Sequence, residues 1–521
     1  MRFLQCILAL SLAYAVAADG LDHQYERRHE HPTRTVNKRA AALLPYNVAS
    51  PASTPAFVHP PDPVLLSVQQ VATLLTVTTA PLTSVLAKTA LQLVNSAATL
   101  NIDGVLKQVT GLVSGLLCGL LPCPKPSGSA TDPRPPLIGM GAKTCLDSKY
   151  NATVINSLFY YGGADTTVYL CSGSEISLEG PIFFYAKNQT LTTQGDSRAK
   201  LTIKDKDTTC ALYIADAGND DSTVSNLIID GSRPSLGYKS NGLALIEMGG
   251  NNQGQKIMNV KAYEPRGWSS LHIIEGYENQ CSGTTVSGNQ IGPAGHAPSG
   301  AQQFSRLKKR DSTGTYPPGQ WADGISVACK NSVVTGNTIT DATDGAIVIF
   351  GAPGTKVSNN EIITDDRSLL GGINAVDYNP YSGNFAGVVV DSNTITAKGT
   401  LLKVGIAVGV ATWYAGVNNN IRTNGGSFTN NKFTTGPQGY FGYGVSVAGH
   451  NGATVTGSSF SNVNFGGVYS SSCFKGMPAM QPLVYNSMRD TGNTLQTGFL
   501  DANYQLAICI GPGPINSTVS L

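Results

Sequence analysis

Charged residues are scarce in this chain. Asp, Glu, Lys and Arg make up 13% of its 521 residues, and 35 basic side chains nearly balance 33 acidic ones, for a formal net charge of +2. Without a basic excess, the composition gives no case for binding to nucleic acid or to an anionic membrane surface. Glycine is abundant, with 58 residues. Low charge with many glycines is typical of a turn-rich all-β protein whose surface is solvated by Ser, Thr and Asn.

Long apolar runs are also missing. The run at residues 3–13 is too short for a membrane anchor. It lies between Arg2 and the small-residue segment at 15–17, so residues 1–17 predict a secretory signal peptide. We therefore expect a secreted protein, extracellular or associated with a cell wall, with no integral membrane segment after signal removal. Lys38-Arg39 is typical of a fungal dibasic processing site, although a chance pair in a disordered tail is the alternative.

Cysteine is sparse, and its spacing predicts no metal site. Of the 10 cysteines, Cys6 lies in the predicted signal peptide, and Cys118 and Cys123 could close a local loop. The remaining seven cannot all pair, so we expect at least one buried thiol among them: Cys145, Cys171, Cys210, Cys281, Cys329, Cys473 and Cys509. No Cys/His pattern has zinc spacing, and no P-loop or dinucleotide fingerprint is present, so we expect neither a metal nor a cofactor. Three N-x-S/T acceptors predict glycosylation of a secreted protein: Asn151, Asn188 and Asn516.

The chain changes character several times before its main domain. Residues 18–62 are rich in Pro, Arg, His and Ala and predict a disordered or propeptide-like segment. Residues 63–121 carry apolar residues at helical spacing and predict a small α-helical segment. It could be a prodomain or could cover an open end of the following domain. Residues 122–138 are a Pro/Gly/Ser linker.

Residues 139–521 repeat a simple pattern. Short apolar runs alternate with β-branched runs that end in Gly-Asn, Asn-Asn or Ser-Asn turns. Two interleaved strand series without hairpin connections favour parallel stacking, with coils about 4.8 Å apart. The repeated Asn is predicted to form a hydrogen-bonded ladder at the turns. The sequence therefore predicts an all-β fold, a parallel β-helix.

Two copies of the repeat carry candidate catalytic acids. Asp323 and Asp344 each precede a glycine and an apolar run, 21 residues apart (344 minus 323). If each copy is one coil, one carboxylate lies directly above the other on one face. The alternative is that Asp-Gly is a common turn pair, repeated for structural reasons.

Asp323-Gly324-Ile325 resembles the T-D-G-I segment of polygalacturonase-like glycoside hydrolases, members of the pectin-lyase-like superfamily. Asp344 resembles the first acid of their paired-Asp segment, and the second acid is replaced by Gly345. The family's Gly-His-Gly and Arg-x-Lys segments have no evident counterpart. The resemblance implies a secreted, right-handed, single-stranded parallel β-helix that hydrolyses a polysaccharide with inversion. It also implies that Asp344 is the acid and Asp323 the base.

An inverting glycosidase needs a protonated acid and a carboxylate that activates water, about 6.5–9.5 Å apart. Two like charges on neighbouring coils raise one pKa and supply the acid. An outward column of side chains is predicted to run beside this pair: His272, Ser326, Ile347, Asn374, Ala407 and Ser446. The candidate substrate-binding residues are polar or aromatic side chains near the same strands: Trp321, His272, Asn374, Asp377, Tyr378, Arg367 and Trp413.

Two other functions fit the same fold. A polysaccharide lyase would use a calcium cluster, with Asp341, Asp344, Asp365 and Asp366 as acids and Arg367 as base. A non-catalytic wall-associated protein would use the β-helix as a scaffold. The insertion at 293–320 contains a basic cluster at residues 306–310. That cluster could guide an anionic polysaccharide, or could be a solvated loop. We expect a monomer whose partner is a polysaccharide.

Overall fold

The computed structural model describes residues 145–296, 321–413, 421–470, 473–488 and 490–521. The predicted signal peptide (1–17), propeptide-like segment (18–62), α-helical segment (63–121) and linker (122–138) lie outside these residues. So do Cys118, Cys123 and the basic cluster at 306–310. In the described part of the chain, strands form three long sheets in which each strand pairs mainly with the strand one coil away.

The three sheets, here called A, B and C, are visited in that order in each coil. Sheet A consists of Thr167–Cys171, Thr190–Gln194, Thr223–Ser225, Lys256–Met258, Thr285–Ser287, Val333–Thr335, Lys356–Ser358, Val389–Asp391, Ser427–Thr429, Thr454–Thr456 and Thr494–Leu495. Sheet B consists of Glu175–Leu178, Ala199–Ile203, Leu227–Asp230, Lys261–Tyr263, Gln290–Ile291, Thr338–Thr340, Glu361–Thr364, Thr394–Ala397, Lys432–Thr435 and Ser459–Phe460. Sheet C consists of Ile182–Phe183, Leu212–Tyr213, Ile246–Gly249, Ser269–Ile274, Asp323–Val327, Gly345–Ile349, Leu369–Ala375, Leu401–Val408, Tyr440–Val447, Val463–Tyr469, Gln481–Tyr485, Leu500–Asp501 and Ile510–Val519.

The pairing is parallel throughout the body of all three sheets, which confirms the predicted fold. Parallel strands joined by crossover connections wind right-handedly, and the domain is a right-handed, single-stranded parallel β-helix. A further pair of short strands, Thr423–Asn424 and His450–Asn451, is also parallel. Among the described residues, no helix is long and apolar enough to span a membrane.

The core is built from like side chains stacked on successive coils. Ile325, Ile347, Ile373, Ile406 and Val445 follow one another in register in sheet C, and all are fully buried. Burying an aliphatic side chain of this size stabilises the fold by about 1.5–3 kcal/mol. The repetition of β-branched residues in the sequence thus becomes a continuous apolar column.

The turn between sheets A and B contains the predicted asparagine ladder. The side-chain Oδ1 of Asn337 accepts from the backbone N–H and the side-chain amide of Asn289, at 3.0 and 2.9 Å. The same pair of bonds recurs from Asn337 to Asn360, from Asn360 to Asn393 and from Asn393 to Asn431. The ladder residues are buried, and the left-handed backbone conformation falls on the residue before each of them.

Different elements cover the two ends of the β-helix. A helix at Ala152–Gly162, which the sequence analysis did not predict, packs Ile155 and Phe159 against the first coil. At the other end, Ile510–Val519 pairs antiparallel with Val463–Tyr469. This strand covers an open edge of sheet C, where unpaired backbone groups would otherwise be exposed. The remaining helical segments are short: Arg233–Leu236, Tyr277–Asn279, Val410–Thr412 and Ala507–Cys509.

Three disulfides link neighbouring parts of the chain: Cys145–Cys171, Cys281–Cys329 and Cys473–Cys509. The remaining thiol, Cys210, is buried, which confirms the expectation that at least one of the seven cysteines is unpaired. Disulfides of this kind fit an oxidising, extracellular environment.

Candidate functional site

The side chain of Asp323 leaves the core at a local break in strand alternation. Asp323 begins its strand in sheet C, and Ser326, three residues on, bonds to its carboxylate. Between them, Ile325 is fully buried in the core, and a Cβ on Gly324 would stand 2.7 Å from the Cγ2 of Ile339. Two successive residues therefore face inward, which leaves Asp323 and Ser326 on the same outer face.

The register corrects the predicted stacking of the two aspartates. Ile325 pairs with Ile347, so the coil is 22 residues long here (347 minus 325). If this register is extended back to the start of the strand, Asp323 is opposite Gly345. Asp344 precedes Gly345 by one residue and is therefore not opposite Asp323. The prediction that one carboxylate lies directly above the other is wrong, although the two still interact electrostatically.

The outer column of sheet C also differs by one residue from the prediction. Ser326 is opposite Val348, and Val348 is opposite Asn374. Ile347 belongs to the core, because the local break in alternation that turns Asp323 outward recurs in this coil. His272, Ser326, Asn374, Ala407 and Ser446 do occupy the column as predicted.

Asp323 is a buried carboxyl group with two protein donors. Its Oδ1 accepts the backbone N–H of Gly345 at 2.9 Å, and its Oδ2 accepts the hydroxyl of Ser326 at 2.8 Å. Only 5% of the residue is exposed. Burial, followed by the negative charge of Asp344, raises the pKa of Asp323 well above its ordinary value. Asp323 is thus disposed to hold a proton.

Asp377 lies just beyond the strand Leu369–Ala375 and returns toward the same acids. It is 3% exposed, and burial together with the charge of Asp344 raises the pKa of Asp377 to about 8. The sequence analysis placed Asp377 among the substrate-binding residues. The structure brings it into the carboxylate cluster, as a third acid supplied by the next coil.

Asp344 is half-buried and lies at the electrostatic centre of the cluster. Its charge acts on Asp323, on Asp377 and on the basic residue Lys403. Burial lowers the pKa of Lys403 to about 8, while the charge of Asp344 acts in the opposite direction. The Lys403 Nζ donates to the carbonyl of Ile508 at 2.6 Å.

The position of the family's second aspartate has no room for a side chain. A Cβ on Gly345 would stand 2.2 Å from the Cγ2 of Val348, 2.8 Å from the Nδ2 of Asn374 and 3.4 Å from the Oδ1 of Asp323. A Cβ on Gly371 would stand 2.0 Å from the Oδ1 of Asn374. The two glycines therefore make space for Asn374, whose buried Oδ1 has no hydrogen-bond partner.

A buried Glu–His pair adjoins the acids on the preceding coils. The Nδ1 of His272 lies 2.7 Å from the Oε2 of Glu247, and both residues are almost fully buried. The indole of Trp268 meets the imidazole edge-on at a centroid distance of 4.6 Å. The Nε2 of His272 has no hydrogen-bond partner. Because His272 is opposite Ser326 in the sheet, this nitrogen lies one coil from the Asp323 network.

The predicted aromatic ligands occupy different environments. Trp321, two residues before Asp323, is partly buried against the core, and Tyr378, directly after Asp377, is 39% exposed. Trp413 is 5% exposed and belongs to the hydrophobic core. Its ring packs in the core, and the sugar-binding role of Trp413 stays a prediction.

Arg367 is engaged by protein oxygens at the corner between sheets B and C. Its guanidinium donates to the carbonyl of Gly295 at 2.7 Å and to Glu264 at 2.6 Å. These contacts favour a structural role for Arg367. The neighbouring Asp341 accepts the amide N–H of Asp365, Asp366 and Arg367 itself. The acids of the lyase alternative thus include one that stabilises a turn.

The acceptor asparagines of all three glycosylation sequons are exposed: Asn151, Asn188 and Asn516. Their glycosylation stays a prediction. In the part of the chain that the structure describes, no group of three or more His, Cys, Asp or Glu is placed to hold a metal ion.

The sequence analysis did not single out two members of the site, Glu247 and Lys403. Each is a charged residue inside an apolar run, LALIEMGG and LLKVGIAV. A charge in such a run is a usable signal, because buried charged groups require partners.

No protein-family model matches the chain, and no curated protein matches it. Among solved structures, the chain is similar to the catalytic domain of a GH87 α-1,3-glucanase in complex with tetrasaccharides (TM-score 0.40, 12% identity, 73% of this chain and 70% of that one). It is also similar to the A-module of the mannuronan C-5 epimerase AlgE6 of Azotobacter vinelandii (TM-score 0.35, 12% identity, 67% and 99%). A third is PfbA, a surface adhesin of Streptococcus pneumoniae (TM-score 0.36, 11% identity, 69% and 90%). One fold can host many functions, so the function of this chain must be argued from its own side chains.

Proposed function

We propose that this protein is a secreted carbohydrate-active enzyme that hydrolyses a cell-wall polysaccharide by an inverting, two-carboxylate mechanism. The observation that carries the proposal is the cluster of Asp323, Asp344 and Asp377 on the outer face of sheet C. The pKa values of Asp323 and Asp377 are raised by burial and by the charge of Asp344. Asp344 is the more exposed carboxylate, and its charge acts on Lys403. A protonated acid beside an ionised carboxylate is what glycoside hydrolysis requires.

In this proposal Asp377 is the general acid and Asp344 the general base. Asp377 donates its proton to the glycosidic oxygen as the bond between that oxygen and the anomeric carbon breaks. A water molecule attacks the anomeric carbon from the opposite face, and Asp344 accepts its proton. The products are a new reducing end of inverted configuration and a free hydroxyl. Solvent then returns the two carboxyl groups to their starting protonation states.

Asp323 is a positioning residue in this mechanism. Both of its oxygens already accept protein hydrogen bonds, from Gly345 and Ser326, and it is more deeply buried than Asp344. These features suit it poorly for the role of base that the sequence resemblance implies. Its bond to the amide of Gly345 fixes the backbone directly beside Asp344.

Two buried polar atoms on the same face support a sugar-binding role. The Oδ1 of Asn374 and the Nε2 of His272 have no hydrogen-bond partner within the protein. Buried polar atoms in proteins are almost always paired, so unpaired ones at a site require an explanation. Sugar hydroxyls can donate to Asn374 and can donate to or accept from His272, depending on its tautomer.

The test uses the secreted protein with Asp344→Asn, Asp377→Asn and Asp323→Asn variants on a panel of cell-wall polysaccharides. Reducing ends are followed together with the ultraviolet absorbance of unsaturated products. We expect reducing ends without absorbance, and losses of about 10²–10⁴-fold in the Asp344 and Asp377 variants. Asp365→Asn is the matched control. Asp365 forms an exposed ion pair with Lys398, so this substitution is predicted to leave hydrolysis unchanged.

Two results would overturn the proposal. Calcium-dependent absorbance that Asp365→Asn abolishes would make the protein a lyase. Equal binding of wall material by all variants, with no cleavage of any substrate, would leave only the scaffold role.

A further inference from the structure

The first coils of the β-helix expose an unusual group of aromatic side chains. Tyr160 is 63% exposed, Tyr161 55% and Tyr185 45%. Tyr160 meets both other tyrosines edge-on, with ring centroids 5.2 and 5.4 Å apart. Phe183 continues the group, 6.4 Å from Tyr185 and 5.8 Å from Tyr213. We call these five residues the aromatic strip. Contiguous exposed aromatic surface calls for an explanation.

The backbone beneath the aromatic strip is fixed by buried contacts. Phe159, one residue before Tyr160, is fully buried. The side chain of Asn156 accepts the backbone N–H of Phe183 at 2.8 Å, which joins the capping helix to sheet C. The side chain of Gln189 accepts the backbone N–H of Tyr185 at 2.8 Å. The rings are therefore presented on a rigid support and not on a free loop.

The aromatic strip lies in the same register column of sheet C as the candidate active site. Phe183 is opposite Tyr213, Tyr213 is opposite Glu247, and Glu247 is opposite His272. His272 in turn is opposite Ser326, which bonds to Asp323. The strip and the acids thus lie along one face of sheet C. The strand of Phe183 is four strands before that of Ser326, a distance of about 19 Å at about 4.8 Å per strand.

Charges along this face favour a neutral ligand. The column that follows the aromatic rings carries Glu247, and then come Asp323, Asp344 and Asp377. Lys403, the basic residue beside these acids, is bonded to a backbone carbonyl. In the proposed mechanism Asp344 is the ionised carboxylate of this face, so a polyuronate would bring further negative charge against it, whereas a neutral sugar chain would meet no such repulsion.

We propose that the aromatic strip binds a distal part of the same neutral polysaccharide chain that the acids cleave, which rests on the proposed function. The apolar faces of sugar rings would stack on the tyrosine and phenylalanine rings, and the phenol hydroxyls would bond to sugar hydroxyls. A substrate must then be long enough to reach from the strip to the acids. The strip contributes to binding of long chains and makes no contact with short oligosaccharides held at the acids.

The test compares wild type with a Tyr160→Ala/Tyr185→Ala double variant on neutral oligosaccharides of increasing length and on the polymer. Tyr169→Ala is the matched control, because Tyr169 is 37% exposed in the same coil but belongs to sheet A. We expect the double variant to lose about 10-fold or more in kcat/KM on long chains and nothing on the shortest ones. Tyr161→Ala, at a position too exposed to affect folding, should show a smaller loss in the same direction.

A binding assay separates this inference from the proposed function. Wild type, the double variant and the control are each sedimented with insoluble neutral polysaccharide and with a polyuronate, also on an Asp344→Asn background. Loss of neutral-polymer binding in the double variant, with no cleavage by any protein, would uphold the strip and overturn the hydrolase. If cleavage depends on Asp344 but the double variant has the same dependence on chain length as wild type, the role of the aromatic strip is overturned and the hydrolase is upheld. Stronger binding of the polyuronate would overturn the assignment of a neutral ligand.

Discussion

The charge of Asp344 acts on three titratable neighbours, Asp323, Asp377 and Lys403. Its own carboxylate is half-buried, whereas the two other acids are almost fully covered. Ionisation is least costly where water still reaches the group, and a nearby ammonium group lowers the cost further. In the proposed mechanism Asp344 carries the negative charge, and the raised pKa values of Asp323 and Asp377 keep protons on those two acids. That division of charge is what allows one site to supply both an acid and a base.

The raised pKa of Asp377 predicts a pH-dependent stability. The folded protein keeps this proton up to a pH of about 8, whereas an unfolded aspartate releases it near 3.8. The folded state therefore binds more protons in this window, and stability falls as the pH rises through it. We expect Asp377→Asn to match wild type at the acidic end and to exceed it above pH 8. The gain should be on the order of several kcal/mol, since one pKa unit is about 1.4 kcal/mol.

The measurement is a series of thermal unfolding curves across this pH window for wild type and Asp377→Asn. Asp365→Asn serves as control, since Asp365 interacts with Lys398 at the surface. A difference between wild type and Asp377→Asn that stays constant with pH would contradict the assignment.

At the level of single residues, the sequence was a better guide to which side chains lie together than to the role of each side chain. The Asp-Gly pairs identified Asp323 and Asp344, and the outward column identified His272 and Asn374. The one-residue offset between Asp323 and Asp344 in the register could not be predicted. It arises because two consecutive residues face inward, which is seen only when Gly324 packs against the core. The role that we propose for Asp377 rests on its burial, and burial of a residue beyond a strand end depends on neighbouring coils.

At the scale of the elements, an asparagine in a turn can both adopt the left-handed conformation and form side-chain hydrogen bonds. In the turn between sheets A and B, these two properties fall on neighbouring residues. The ladder residues Asn337, Asn360 and Asn393 are buried and bond from coil to coil, while the left-handed residue precedes each of them. The Gly-Asn, Asn-Asn and Ser-Asn pairs in the sequence encode both properties together. The ladder was predictable from that repetition. The capping helix was not, because it occurs once and its buried face is short.

A break in the ladder should destabilise the domain. In Asn360→Ala, the N–H of Asn337 and the carbonyl of Val334 lose their buried partner. We expect a loss of about 1–3 kcal/mol in the free energy of unfolding for each buried group left unpaired. The preceding residue gives the control: Asn359→Gly should be nearly neutral, because glycine tolerates its φ of 55° without cost. Equal losses in the two variants, measured by thermal or denaturant unfolding, would contradict the ladder account.

At the scale of the whole molecule, the β-helix converts a repeat into a long surface. Sheet C carries the aromatic strip, the Glu–His pair and the three acids in coil order along one face. The predicted architecture followed from periodicity, which is a property of the sequence itself. The order of functional groups along the face followed only from the register, which depends on how many residues each loop contains.

The central claim is that Asp344 and Asp377 hydrolyse a glycosidic bond with inversion. The most direct measurement is proton nuclear magnetic resonance of the products at early times, on a neutral polysaccharide that the protein cleaves. The account predicts that the first-formed reducing ends have the anomeric configuration opposite to that of the cleaved linkage, and that Asp344→Asn and Asp377→Asn form neither anomer at a comparable rate. Retention of configuration, or unsaturated sugar signals in place of reducing ends, would contradict it.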